Sequence, residues 1–175
     1  FVFFGLGEEL GVDPGRAASQ AYRLPIHREW YKASVGHNTV LVDGQGQKEA
    51  GGKLLGFVAN DQYAAAAADA GPAFDNVQHR RLLLLTPTYL LVVDELKATD
   101  GKEHTFEWVY HNKGTKIACD LPKGDGTLEG DPGYKYVQDL MAYRVPKEGL
   151  PSTAPKGEFK SDLALSESGS FAVTL

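Results

Sequence analysis

The stretch VQHRRLLLLTPTYLLVVDEL, residues 77–96, decides the fold. It contains two segments of strand length, Val77 to Leu85, which ends in the apolar run Leu82 to Leu85, and Tyr89 to Leu96. The intervening Thr86-Pro87-Thr88 has the composition of a tight turn. Two such segments around a turn predict a pair of antiparallel β-strands. Comparable runs and turns recur on both sides, so the same prediction extends outward along the chain.

The rest of the chain follows this pattern. Its 20 glycines and 9 prolines lie between short apolar runs, and no stretch shows the 3.6-residue repeat of a long amphipathic helix. We predict an all-β fold of antiparallel strands in a two-sheet β-sandwich, with a barrel as the alternative. The other predicted strands are Phe1 to Leu6, Glu9 to Val12, Thr39 to Val42, Lys53 to Ala59, Tyr63 to Ala68, Glu103 to Tyr110, Ile117 to Asp120 and Phe171 to Leu175.

Two segments differ in composition from the other predicted strands and turns. Ala64 to Ala68 consists of strong helix formers, yet the run is short and lies between Asp61 and Gly71-Pro72, so we predict a strand. Residues 121–160 are rich in Gly, Pro, Lys and Asp, which predicts a long irregular excursion around the sandwich. Both termini have the composition of strand interiors. We therefore predict a single β-sandwich domain over residues 1–175, truncated at both ends.

Composition and charge limit the classes of function. The chain carries 18 Lys and Arg against 23 Asp and Glu, for a formal net charge of -5. Duplex DNA and anionic membranes require concentrated positive charge, so we expect neither as a partner. The single Cys119 excludes an internal disulfide framework and a cysteine-rich zinc module. No run approaches the roughly 18 apolar residues of a membrane-spanning helix.

The densest cluster of polar and aromatic residues lies between residues 13 and 39. Asp13 and His37 offer a carboxylate oxygen and an imidazole nitrogen, which are ligands that zinc accepts. Two ligands do not make a site, and a further donor would come from His27, Asp43 or a residue outside the chain. Alternatively, Asp13 and His37 have a purely structural role, because Asp-Pro-Gly is an ordinary turn and His-Asn pairs are common hydrogen-bonding residues in cores.

Basic residues also begin one of the predicted strands. His79-Arg80-Arg81 precedes the apolar run Leu82 to Leu85. These cations are either solvated charges at a sheet edge or an anion-binding group.

Several strings resemble the signature region of heparinase II/III-like and oligoalginate-lyase-like polysaccharide lyases. They are HREWYK at residues 27–32 and GHNTVLVDGQGQ at 36–47, preceded by GEELGVDPG at 7–15. The strings HRRLLLL, YLLVVDE and FEWVYHN further along are also similar to that family. The resemblance covers about residues 1 to 115 and is specific in the His-Asn-Thr-Val segment.

The resemblance implies an enzyme part. In such lyases an α/α-toroid domain precedes a C-terminal antiparallel β-sandwich, and the polysaccharide lies in the cleft between them. They break a uronic-acid linkage of alginate or glycosaminoglycan type by β-elimination: a base removes the C5 proton and an acid protonates the departing O4. The chain would be most of the sandwich and inactive by itself, because the principal Tyr and His acid/base residues belong to missing segments.

The resemblance also assigns roles to individual residues. Asp13 and His37 resemble two ligands of a structural zinc, whose remaining ligand belongs to a His-x-Asp segment that this chain lacks. Tyr22 resembles a tyrosine at the cleft and is the catalytic candidate of this chain. Cationic and aromatic side chains are expected to contact an acidic polysaccharide or oligosaccharide: Arg23, His27, Arg28, Trp30, Tyr31 and Arg80.

Two other functions remain open. Aromatic residues such as Tyr22, Trp30 and Tyr31 would also suit a carbohydrate-binding sandwich without catalysis. A sandwich that mainly stabilises a neighbouring domain or a homodimer is the third alternative, which the apolar Phe1 to Phe4 would fit. The lyase hypothesis further implies a missing toroid domain as partner and a periplasmic or secreted bacterial protein.

Overall fold

A computed structural model describes residues 1–5, 7–17, 23–114, 116–118, 122–124, 126–138, 140, 142–143, 160–162 and 169–174. Nearly all regular structure in these residues is strand, and the helices are short: a π-helical turn at His27–Tyr31 and 3-10 turns at Ser34–Gly36 and Pro132–Tyr136. None of the described helices is long and apolar enough to cross a membrane. The strands are β1 (Phe3–Gly5), β2 (Glu8–Gly11), β3 (Val40–Val42), β4 (Lys53–Ala59), β5 (Ala64–Asp69), β6 (Val77–Leu85), β7 (Leu90–Ala98), β8 (Phe106–Asn112), β9 (Lys116–Ala118), β10 (Lys123–Gly124), β11 (Ala142–Tyr143), β12 (Lys160–Asp162) and β13 (Gly169–Thr174).

The largest sheet has four antiparallel strands in the order β4-β5-β6-β7. The predicted hairpin is at its centre, with an unbroken register from Val77 opposite Ala98 to Leu85 opposite Leu90. The alanine run forms β5 and pairs on both sides, with β4 and with β6. Pairing on both sides overrides the helix propensity of alanine, because β-structure depends on the neighbouring strands more than on intrinsic preference.

The remaining strands form smaller sheets. β8 lies between β3 and β13, and three antiparallel pairs join β1 with β2, β9 with β12 and β10 with β11. The fold class predicted from the sequence is therefore confirmed in its antiparallel all-β character. Several strand ends differ by one to three residues. β8 begins at Phe106 rather than at Glu103, because His104 and Thr105 bind the Asp43 carboxylate instead of entering the strand.

The chain divides into two compact units. The first contains Phe1–Val40 and Trp108–Thr174, and its buried apolar residues include Val35, Val109 and Tyr134. The second contains Leu41–Glu107 and the four-stranded sheet. The single domain over residues 1–175 and the irregular excursion over residues 121–160 stay predictions.

A largely buried ionic cluster lies on one face of the four-stranded sheet. Asp94 is directly opposite Arg81 in the β6/β7 register, and His79 shares their face because it lies two residues before Arg81. The Nε2 of His79 and the Nε of Arg81 each donate to Oδ1 of Asp94 at 2.7 Å. Arg81 also donates from Nη2 to Oδ2 at 2.9 Å. Burial raises the pKa of Asp94, but these hydrogen bonds outweigh it and the pKa is lowered overall.

A second histidine fastens a loop in the same unit. The Nδ1 of His104 lies 2.7 Å from Oδ2 of Asp43, and its Nε2 lies 3.0 Å from Oδ1 of Asp100. Hydrogen bonding to Asp43, then to Asp100, raises the pKa of His104. The same contacts lower the pKa of Asp43 and of Asp100, with His104 as the largest cause in each case. The imidazolium form therefore holds the loop by both ring nitrogens.

Replacing Asp94→Ala should lower the free energy of unfolding by about 3 to 5 kcal/mol, because His79 and Arg81 would keep their burial without a carboxylate partner. Urea unfolding followed by circular dichroism measures this. The matched control is the adjacent Glu95→Ala, whose side chain is 68% exposed and whose loss should cost no more than about 0.5 kcal/mol. Equal losses in the two variants would contradict the stabilising role assigned to the ionic cluster.

The His104 contacts should stabilise the protein within a limited pH window. The pKa of His104 is raised above 6.5, so its contribution is complete below pH 6.5 and is lost as the pH rises through the folded value. The pKa values of Asp43 and Asp100 fall below 3.8, so their contributions are complete above pH 3.8 and are lost as the pH falls. The difference in Tm between the wild type and His104→Gln should be largest near about pH 5 and smaller near about pH 9. A difference that is constant across this range would contradict the assignment.

Candidate functional site

The side-chain amide of Asn38 joins three segments of the first unit. Its Nδ2 donates to the carbonyl oxygens of Phe1 at 2.7 Å and Val12 at 2.9 Å. Its Oδ1 accepts from the backbone N–H of His111 at 2.7 Å. Asn38 is 2% exposed, so these bonds replace water completely. Such a side chain fixes the residues on both sides of it, which here include His37.

Asp13 and His37 meet beside this amide. The Nδ1 of His37 lies 2.7 Å from Oδ2 of Asp13, and Oδ1 of Asp13 accepts from the backbone N–H of Gly15 at 3.0 Å. Burial raises the pKa of Asp13, but the hydrogen bonds from His37 and Gly15 outweigh it, and the pKa is lowered overall. The Nε2 of His37 lies 3.2 Å from the carbonyl oxygen of Tyr31. The carboxylate is therefore ionised and directed at the imidazole.

This pair fits a metal site in part. A carboxylate oxygen and an imidazole nitrogen in contact are suitable zinc ligands, but a structural zinc site needs four donors. Within the described ranges no group of three His, Cys, Asp or Glu could hold an ion. The structure does not bring His27 or Asp43 to the pair: the Asp43 carboxylate binds His104 and Thr105, and the Nδ1 of His27 is buried without a hydrogen-bond partner.

Trp30 packs into an aromatic cluster. Its ring meets His111 edge-on at a centroid distance of 5.6 Å and Tyr136 edge-on at 6.4 Å. His111 is buried and donates from Nε2 to the carbonyl oxygen of Val35 at 2.9 Å, and burial lowers its pKa. Trp30 is thus half-buried between two rings and does not form an open platform.

The adjacent residue, Glu29, anchors the π-helical turn. Its carboxylate accepts from the hydroxyl of Tyr136 at 2.9 Å and from the ammonium of Lys135, and it lies 3.6 Å from Arg28. These contacts lower the pKa of Glu29, with Lys135 as the largest cause. A side chain at Gly133 would collide with the carbonyl oxygen of Glu29, so only glycine permits this close approach.

The predicted cations differ in their surroundings. The Arg28 side chain is 83% exposed, and Arg23 is also exposed. Arg80 lies in the other unit, where its guanidinium binds Asp69 at 3.0 Å and Glu95 at 3.5 Å. Two carboxylates therefore match the positive charge of Arg80. Arg28 lies near one carboxylate, that of Glu29, and stays largely exposed to solvent.

The structure describes Tyr31 but not Tyr22, the other tyrosine predicted for the site. Tyr31 is half-buried and contributes its carbonyl oxygen to His37. The catalytic candidate Tyr22 lies outside the described residues. Sequence reasoning missed the roles of Asn38, Glu29 and Tyr136. Asn38 lies within the His-Asn-Thr-Val string, so that string was the available signal, but no local pattern joins Glu29 to Tyr136.

Comparison with known proteins gives the following matches. The family model described as "Heparinase II/III-like, C-terminal" matches residues 1–167. A solved "Heparinase III-BT4657 gene product" is 21% identical with a TM-score of 0.53, over 64% of this chain and 17% of that chain. The same gene product with methylated lysines gives a TM-score of 0.54 at 21% identity and the same coverage. No curated protein sequence matches the chain.

These matches confirm the family resemblance and the all-β sandwich fold predicted from the sequence. At this identity the solved structures support the fold alone, because one fold serves many functions. The chain spans about a sixth of their length, 17%.

Replacing Asn38→Ala should lower the free energy of unfolding by about 2 to 4 kcal/mol, because buried backbone groups of three segments would lose their partner. Thermal and urea unfolding measure the loss. Asn60→Ala is the matched control, because Asn60 also accepts two backbone N–H bonds but in an exposed turn. If both variants unfold at the same urea concentration, the amide of Asn38 does not have the proposed role.

Proposed function

The chain belongs to the heparinase II/III-like C-terminal domain family, and on this premise we propose that it is the β-sandwich part of a polysaccharide lyase. The proposed reaction is β-elimination in a uronic-acid-containing polysaccharide or oligosaccharide, of alginate or glycosaminoglycan type. The observation that carries the proposal is the family match over residues 1–167. A periplasmic or secreted location and a preceding α/α-toroid domain are parts of the same proposal.

The exposed arginines suit an acidic sugar. The C5 proton of a uronic acid is weakly acidic, so its removal requires that charge on the neighbouring carboxylate be neutralised. A guanidinium matches a carboxylate with two parallel hydrogen bonds. Arg28 and Arg23 are the candidates in this chain, because both are exposed. Arg80 is a weaker candidate than these two, because Asp69 and Glu95 already bind it.

We propose Asp13 and His37 as two ligands of a structural zinc. Their oxygen and nitrogen donors are in contact, and the burial of Asn38 fixes the backbone next to His37. Zinc bound there would be a fixed cross-link between the two segments and would supply no redox chemistry. The third protein ligand and the principal acid and base would come from outside this chain. Tyr22 remains the candidate for a cleft residue, and the chain by itself should be inactive.

The test uses the longer protein that contains this chain, with alginate, hyaluronan, chondroitin and heparan sulfate as substrates. The unsaturated product of β-elimination is followed by ultraviolet absorbance. We expect absorbance to rise with one of the polymers. In His37→Ala, bound zinc should fall below one ion per chain and activity should fall at least about tenfold.

His104→Ala is the matched control, because His104 also places Nδ1 2.7 Å from an aspartate Oδ2, in a different part of the protein. It should retain zinc and activity at a pH where it is folded. If no polymer yields absorbance in the folded protein, the lyase proposal fails and sugar binding without catalysis becomes the better explanation. If activity is present but His37→Ala keeps its zinc, the lyase assignment stands and the metal assignment fails.

A further inference from the structure

The outer edge of the four-stranded sheet is an exposed strand. β4 pairs with β5 on one side, and among the described strands none pairs with its other side. All residues from Lys53 to Ala59 are exposed. An edge strand presents outward-facing N–H and C=O groups, which can pair with another strand.

Beyond Lys53, this edge lacks the charged side chains that often keep sheet edges from pairing. No charged residue occurs from Leu54 to Asn60. Leu54 and Phe57 lie on one face and are 65% and 69% exposed, and Val58 is exposed on the other. The opposite edge strand, β7, contains Asp94, Glu95 and Lys97. Charges of this kind normally prevent strands from associating at an edge, so β4 is the edge suited to a partner.

We propose that β4 pairs antiparallel with β4 of a second copy of this chain, so that two four-stranded sheets become one continuous sheet. A strand that pairs antiparallel with itself obeys two-fold symmetry, the commonest symmetry of homodimers. The exposed apolar residues of β4 would then lie within a larger sheet.

Charged residues on either side of the apolar segment favour an antiparallel register. Lys53 begins β4, and the exposed Asp61 follows it in the turn to β5. The two residues are equally far from Phe57 along the chain. An antiparallel pair centred on Phe57 therefore places each Lys53 at the same end of the interface as the partner's Asp61. Charge complementarity thus points to a second copy as the occupant.

The centre of this register is regular. The bulge of β4 lies between Leu54 and Gly56, and the strand pairs without interruption from Gly56 to Ala59. Each Phe57 would face the partner's Phe57 across the two-fold axis, and aromatic pairs directly opposite each other stabilise antiparallel strands. Gly56 would face the partner's Val58, which leaves room for the larger side chain.

Sedimentation velocity of the full 175-residue chain over a range of concentrations tests the dimer. We expect a concentration-dependent dimer in the wild type. Phe57→Lys should yield a monomer, because two lysines would face each other at the axis. Tyr89→Lys is the matched control, since Tyr89 is also an exposed aromatic residue of the same unit but lies outside β4. It should remain dimeric.

A charge exchange tests the register. Lys53→Asp and Asp61→Lys should each weaken the dimer about tenfold, because each places like charges together at both ends of the interface. An equimolar mixture of the two single variants should form a heterodimer as tight as the wild type, since both contacts then join opposite charges. Lys53 begins β4 and Asp61 lies beyond its other end, so this recovery cannot arise within a single chain.

The proposal is wrong if the wild-type chain remains monomeric at all concentrations, which would leave the β4 edge for another part of a longer protein. It is also wrong if Phe57→Lys dimerises as well as Tyr89→Lys. Failure of the mixed charge variants to associate more tightly than either variant alone would overturn the register.

Discussion

The buried amide of Asn38 is the contact on which the first compact unit depends. It bonds to residues that are 37, 26 and 73 positions away in the sequence. Only an amide offers both the donors and the acceptor that this place requires. Because it fixes Val12, the residue before Asp13, and is itself the residue after His37, the same amide brings that carboxylate and that imidazole together. The candidate metal pair is therefore a consequence of one buried side chain.

The second unit is stabilised in a different way. Successive hairpins set the register of its sheet, so most of its contacts join segments that are close in the sequence. The end of the sheet formed by β6 and β7 carries the largely buried ionic cluster of His79, Arg81 and Asp94. The other end is apolar and ends at the exposed β4 edge. Charged side chains thus mark the β7 edge of the sheet, and exposed apolar side chains mark the β4 edge, where association is proposed.

Some side chains of the candidate site in the first unit stabilise the structure, and another is exposed and could contact a ligand. Glu29, Trp30 and His111 are held by packing and hydrogen bonds. Arg28 stays exposed beside the anchored Glu29. Such a division suits a rigid wall that presents a few cations to an acidic polymer, which is the role proposed for this domain.

Local patterns in the sequence determined the strands and the residue types of the site. β4 and β6 occur at their predicted bounds, because short apolar runs and turn residues act over a few positions. The family strings indicated Asp13 and His37. Only the tertiary structure decided that Asn38 joins three segments and that Glu29 contacts Tyr136, 107 positions away. It also decided that His104 binds Asp43 instead of belonging to β8. These contacts form because folding brings distant segments together. No local sequence pattern predicts which distant partner a polar side chain will contact.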